Sequence, residues 1–78
     1  MTPDNNVGIQ PLAERMVERN LRPADLVRAA PGHVTFKMVS RACRGRRLTA
    51  HSQRLIAAAF NQAAQTQLTP ADLFTYSA

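Results

Sequence analysis

The sequence predicts a small all-α domain built from five short helices. Three observations support this fold class: apolar residues recur at helical spacing, no segment alternates with a period of two, and prolines and glycines stand between the periodic segments. A chain of 78 residues can enclose one modest hydrophobic core. We therefore expect a flexible N-terminal arm at residues 1–9 and a single helical domain over residues 10–78.

Prolines mark the first two helices. The first is expected over Pro11–Asn20, because proline is tolerated in a first helical turn. Its apolar positions are Leu12, Met16 and Val17. Pro23 begins a short second helix, Asp25 lies in its first turn where the helix dipole favours an anion, and Pro31-Gly32 ends it. The segment "RAAPGHV" then forms a long turn.

Two threonines mark the next helices. Thr35 can cap the third helix, which Gly45 ends in a left-handed conformation. Thr49 can cap the fourth and longest helix, "AHSQRLIAAAFNQAA". The apolar stripe of that helix is Leu55, Ile56, Ala59, Phe60 and Ala63.

The segment "LTPADLF" predicts a short fifth helix. Thr69 is its cap, Pro70 takes the first helical position, and Asp72 follows three residues after the cap. Combining the periodic positions gives one expected core. Its members are Leu12, Met16, Leu26, Val39, Leu55, Ile56, Phe60 and Leu73.

The positive charge is concentrated in the middle of the chain. Residues Arg28–Arg54 hold seven of the ten Lys and Arg side chains and none of the five acids. A soluble surface without a partner ordinarily mixes both signs, so this patch indicates a polyanionic partner. The alternative is a solvated cationic face that binds nothing.

No constellation typical of catalysis or metal binding stands out. His33 and His51 lack a Cys or carboxylate at ligand spacing, and we interpret Cys43 as a packed residue whose thiolate the nearby arginines favour. We expect no enzyme activity and no cofactor. A lone cysteine, no signal-like N-terminus and no apolar run of about 20 residues predict a cytoplasmic protein without a membrane span.

The third helix, Thr35–Arg44, has an outer face suited to DNA. With Val39 and Ala42 inward, the outward positions are Phe36, Lys37, Ser40, Arg41 and Arg44. Cationic donors, a hydroxyl and an apolar group are what a helix in the major groove uses to contact base edges. Arg46 and Arg47 follow Gly45, where the phosphates that flank the groove would lie.

These motifs resemble one family. The segments "LAERMVERNLRPADLVRAA", "VTFKMVSRACRGRRLT" and "LTPADLF" are similar to the helix-turn-helix family of phage Cro and lambda repressor, over about Leu12–Phe74. The resemblance implies a five-helix domain that binds operator DNA, commonly as a symmetric dimer, and represses or activates transcription. The chain differs from the family in its longer turn before the third helix and in Pro23, which replaces a usual Gln.

The candidate site residues fall into three groups. Those expected to face bases are Thr35, Phe36, Lys37, Ser40 and Arg41. Those expected to contact phosphates are Arg28, Arg44, Arg46, Arg47 and Thr49. Candidates for a homodimer contact are the apolar tail residues Leu73, Phe74 and Tyr76, with the alternative that they fold back on the core.

Two functions remain open from the sequence. The first is a sequence-specific regulator of transcription, acting as a repressor of a nearby promoter, that binds double-stranded DNA at an inverted repeat as a homodimer. The second is a small protein-interaction module (an adaptor, anti-activator or antitoxin-like partner) on the same fold. RNA binding is less favoured because Phe36 and Tyr76 are too few aromatics to stack bases.

Overall fold

The predicted all-α class with five helices is confirmed. The computed structural model describes residues 8–76, and this part of the chain contains no strand. The helices are α1 (Pro11–Glu18), α2 (Pro23–Ala29), α3 (Phe36–Arg44), α4 (Ala50–Ala64) and α5 (Pro70–Leu73). Of the expected arm, residues 1–7 lie outside the described residues.

The helix boundaries follow the local signals closely. Thr35 Oγ1 accepts a hydrogen bond from the backbone N–H of Met38 at 3.1 Å, and Thr49 Oγ1 accepts one from Ser52 N–H at 3.1 Å, so both predicted caps are confirmed. Gly45 ends α3 with φ +94°, in the left-handed region as predicted. Helix α1 ends two residues earlier than predicted, because Asn20 turns the chain with φ +58°.

The expected long turn connects α2 and α3 through residues 30–35. The backbone N–H groups of His33 and Val34 both donate to the carbonyl of Ala30, at 3.1 and 3.0 Å. Gly32 reverses the chain with φ +83°. Val34 is buried, so the turn is tied to the core just before α3 begins.

Helix α4 packs against α2 and α5, α3 packs against α1 and α2, and α1 also packs against α5. Every predicted core residue is buried except Leu55, which is only partly buried at the edge of the α4 stripe. The core also contains Val34, Ala42, Ala57, Ala59 and Phe74. Val17, an apolar position of the first helix that the expected core did not include, is 79% exposed, because one helical step of about 100° from buried Met16 turns it toward solvent.

The segment that follows α4, as far as Tyr76, folds back on the domain. Leu73 and Phe74 are both buried within the chain itself, so they offer no apolar surface to a second copy. For these two residues the alternative to a dimer contact therefore holds: they fold back on the core. Gln10, also buried, anchors the tail: its Oε1 accepts a hydrogen bond from Thr75 N–H at 2.7 Å. The N–H of Gln10 donates to the carbonyl of Cys43 at 3.4 Å, so the same residue contacts α3.

Candidate nucleic-acid interface

A ridge of cations runs along the outer side of α3. Val39 and Ala42 are completely buried on the inner side, which fixes the rotation of the helix. Lys37, Arg41 and Arg44 are exposed and follow one another at i, i+4 and i+7, the spacing of a single helical stripe. The burial of the inner face therefore places three positive side chains in line on the outer face.

Two depressions adjoin this ridge, and Lys37 and Arg41 line both of them. The first is completed by Arg44 and Arg46. The second lies toward α4, and its other lining residues are Thr35, Met38, Arg47, Leu48, Thr49 and Ser52. The two side chains thus stand between two concave surfaces: the first is lined by cations alone, and the second adds Arg47 to neutral side chains.

All the charged side chains that line the two depressions are positive. Neither α3 nor α4 contains an acid. No carboxylate of residues 8–76 forms an ion pair with Lys37, Arg41, Arg44 or Arg46. Like charges held close together repel each other, and an anionic partner relieves that repulsion. The face is therefore suited to a partner that carries several negative charges.

The five base-facing candidates are divided between the ridge and its flank. Lys37 and Arg41 stand on the ridge, and Thr35 lines the second depression while its hydroxyl oxygen caps α3. Phe36 and Ser40 share the neighbouring stripe, one helical turn apart, and line neither depression. Phe36 is 59% exposed, which is unusual for an aromatic side chain on a small domain.

Four of the five residues expected to contact phosphates line the two depressions, and Arg28 does not. Arg44, Arg46 and Arg47 lie in the two depressions. The hydroxyl of Thr49 already donates to Ser52 Oγ at 3.1 Å, so its proton is used within α4.

The remaining phosphate candidate, Arg28, lies on α2 and is paired with a carboxylate. Its guanidinium forms an ion pair with Asp25 of the same helix, although the arginine side chain stays mostly exposed. The N–H of Arg22, and then Arg28 itself, hold the pKa of the Asp25 carboxyl below its usual value. Arg28 therefore has a competing partner that the ridge cations lack.

The sequence did not reveal what holds the loop between α3 and α4, residues 45–49. The Tyr76 hydroxyl accepts a hydrogen bond from Leu48 N–H at 2.8 Å and donates to the carbonyl of Arg46 at 3.3 Å. The Arg47 guanidinium carbon lies 5.3 Å from the centre of the Tyr76 ring, within range of a cation–π contact. No local pattern signals contacts across so long a stretch of chain.

The remaining reactive groups do not gather into a second site. Cys43 is partly buried, its Sγ lies 3.8 Å from Met16 Sδ, and burial raises the pKa of its thiol. The expectation that the arginines favour its thiolate is therefore wrong, because burial disfavours the charged form of the thiol. Within residues 8–76 no three His, Cys, Asp or Glu side chains are grouped as metal ligands. None of the helices there is long and apolar enough to cross a membrane.

No protein-family model matches the sequence, and neither a curated protein nor a solved structure is significantly similar to it.

Proposed function

We propose that this chain is a helix-turn-helix regulator of the Cro and lambda-repressor type, which binds double-stranded DNA with sequence preference and represses transcription from a nearby promoter. In this proposal α3 enters the major groove, and Lys37 and Arg41 donate hydrogen bonds to base edges. Arginine and lysine are the side chains that most often recognise guanine there, through its O6 and N7 atoms.

The observation that carries the proposal is the ridge of Lys37, Arg41 and Arg44 between two cationic depressions. A helix in a groove needs a convex edge that reaches the bases and flanking concave surfaces that receive the two phosphate backbones. The ridge supplies the edge. Arg46 on one side and Arg47 on the other supply the charges for the backbones.

Binding to duplex DNA with a strong dependence on salt tests the proposal. A binding sequence is first selected from a pool of random duplexes by repeated capture on the wild-type protein. The affinity for this enriched duplex and for a scrambled version of it is then measured by fluorescence anisotropy across a salt series. We expect the logarithm of the affinity to fall linearly with the logarithm of the salt concentration, by about 0.9 per phosphate contacted, and the enriched duplex to bind more tightly. Enrichment of no sequence, or binding that ignores salt, would contradict the proposal.

The exposure of Phe36 supports a second candidate function, a protein-interaction module. An aromatic side chain on the rim of a cationic surface can anchor an acidic partner protein. This candidate predicts a stoichiometric protein complex that Phe36→Ala weakens, together with weak binding to DNA. The regulator predicts the reverse, because Phe36 then meets at most one base pair on the flank of the ridge.

A further inference from the structure

We propose that Tyr76 is a positioning residue, which ties the C-terminal tail to the loop at residues 45–49 and thereby directs Arg46 and Arg47 toward the phosphate backbone. The inference rests on the proposed function for its effect on DNA binding. Its structural half, the fixing of the loop, does not depend on any ligand.

The first argument is that one hydroxyl fixes the loop at two points. Tyr76 accepts from Leu48 N–H and donates to the carbonyl of Arg46, so its oxygen bridges backbone groups on either side of Arg47. The start of the loop is already attached to α3, because the Arg46 N–H donates to the carbonyl of Arg41 at 3.0 Å, and the Tyr76 hydroxyl adds attachments at the Arg46 carbonyl and the Leu48 N–H. The two bonds restrict the direction in which both arginine side chains leave the chain.

The second argument is that the tyrosine ring also contacts the side chain it helps to direct. The Arg47 guanidinium lies over the ring, and the ring also contacts buried Phe74, at 5.8 Å between ring centres in an edge-to-face arrangement. Phe74 belongs to the core, so the ring is a rigid support. A guanidinium held on such a support loses less conformational entropy when it meets a phosphate.

The third argument is that the tail is attached independently of the loop. Thr75 donates to Gln10 Oε1 through its N–H at 2.7 Å and through its hydroxyl at 3.2 Å. Gln10 is buried and is also bonded to the end of α3. The tail therefore stays in place when the loop contact is removed, and the two attachments can be tested separately.

The experiment compares Tyr76→Phe with Thr75→Val. Tyr76→Phe removes both hydrogen bonds from the hydroxyl to the loop and keeps the aromatic ring. Thr75→Val removes the hydrogen bond from the threonine hydroxyl to Gln10, which is not part of the loop. Both variants are checked for helicity and unfolding temperature before use. Hydrogen exchange of the Leu48 amide, without DNA, is the first measurement. It is expected to be faster by about tenfold in Tyr76→Phe, because its hydrogen bond is lost, and unchanged in Thr75→Val.

Salt-dependent binding to DNA is the second measurement. We expect Tyr76→Phe to weaken the enriched and the scrambled duplex by the same factor and to reduce the salt slope by about one, as loss of one phosphate contact does. Unchanged Leu48 exchange overturns the inference, and so does faster exchange with an unchanged slope. If the wild-type chain binds no duplex, the proposed function fails instead, and the Leu48 exchange still decides whether Tyr76 holds the loop.

Discussion

At the scale of single residues, the cations of the candidate interface have different expected roles. Arg41 stands on the ridge of α3 and lines both depressions, whereas Arg46 lies beyond the end of the helix in only one of them. Arg41→Ala should therefore cost about 1–3 kcal/mol on the enriched duplex and relax the preference at one base position. Arg46→Ala should weaken all duplexes alike and reduce the salt slope by about one.

These two variants need a control with the same change of charge. Arg19→Ala removes one exposed arginine from the end of α1, away from both depressions that adjoin the ridge. It should change affinity little, because this side chain lines neither depression and salt screens an exposed charge outside the contact surface. Affinities for enriched and scrambled duplexes are measured for all three variants. Arg41→Ala should differ from Arg46→Ala by losing more affinity on the enriched duplex than on the scrambled one. If Arg41→Ala also lost the same affinity on both duplexes, α3 would not contact bases.

The sequence predicted which side chains are exposed only where the buried residues of a helix fix the direction of the others. Lys37 and Arg41 were expected to face outward because Val39 and Ala42 had to face inward, and the burial of the latter pair agrees. Apolarity alone does not decide exposure, since Val17 is 79% exposed although its neighbour Met16 is buried. The contacts of Tyr76 were not predictable, since 28 residues separate it from Leu48.

At the scale of helices, Gly45 is required for two separate reasons. It ends α3 with φ +94°, and a Cβ at this position would lie 1.9 Å from the carbonyl oxygen of Gly8. Gly32 has a similar φ of +83°, yet no atom lies within 4 Å of its Cβ position. The two glycines thus separate the cost of backbone strain from the cost of a steric clash.

Gly32→Ala should lower the free energy of unfolding by about 1–2 kcal/mol, the cost of the left-handed conformation alone. Gly45→Ala should lower it by clearly more, because the segment at Gly8 must also move away. Urea denaturation followed by circular dichroism measures both. Equal losses would mean that the segment at Gly8 does not rest on the end of α3.

The cap of α5 should make stability depend on pH. The N–H and the hydroxyl of Thr69 donate to the Asp72 carboxylate at 2.9 and 3.0 Å, and they hold its pKa below the usual value. A lowered pKa in the folded state adds stability above the unfolded pKa of about 3.9, and this stability is lost as the pH falls through the folded value. Asp72→Asn should therefore lower the unfolding temperature at pH 7 but have little effect near pH 2.

Thermal unfolding of the wild type and of Asp72→Asn at both pH values tests this expectation. Glu14→Gln removes the same charge from the exposed side of α1 and serves as the control. A difference between wild type and Asp72→Asn that persists at the lower pH would contradict the assignment of the effect to the carboxylate.

Helix boundaries were predictable because capping is local. Thr35, Gly45 and Thr49 act on backbone groups within a few residues, so short motifs gave the limits of α3 and α4. The angle at which α2 meets α3 is a different matter. It depends on how residues 30–35 fold around Gly32 and on the burial of Val34, which no local motif specifies.

At the scale of the whole molecule, charge is segregated between helices. The acids within residues 8–76 belong to α1, α2 and α5, whereas α3 and α4 carry none. This asymmetry was visible in the sequence, but the gathering of the cations on one surface depends on the fold, which gives Lys37, Arg41 and Arg47 one shared depression. A molecule charged in this way should approach DNA with α3 leading, because the field of the duplex orients it during diffusion.

The proposed inverted-repeat site requires two copies of the chain, and their association is the last prediction. Leu73 and Phe74 are buried, and the exposed large apolar side chains among residues 8–76 are Ile9, Val17 and Phe36. Because Leu73 and Phe74 are covered within the chain, they offer no apolar contact to a second copy, and we expect a monomer at micromolar concentration without DNA. On an enriched duplex with two half-sites about one helical turn apart, two copies should bind. Sedimentation velocity with free protein, the full site and a single half-site measures the stoichiometry. One copy on the full site would contradict the homodimer, and a stable dimer without DNA would show that an interface other than the tail joins the subunits.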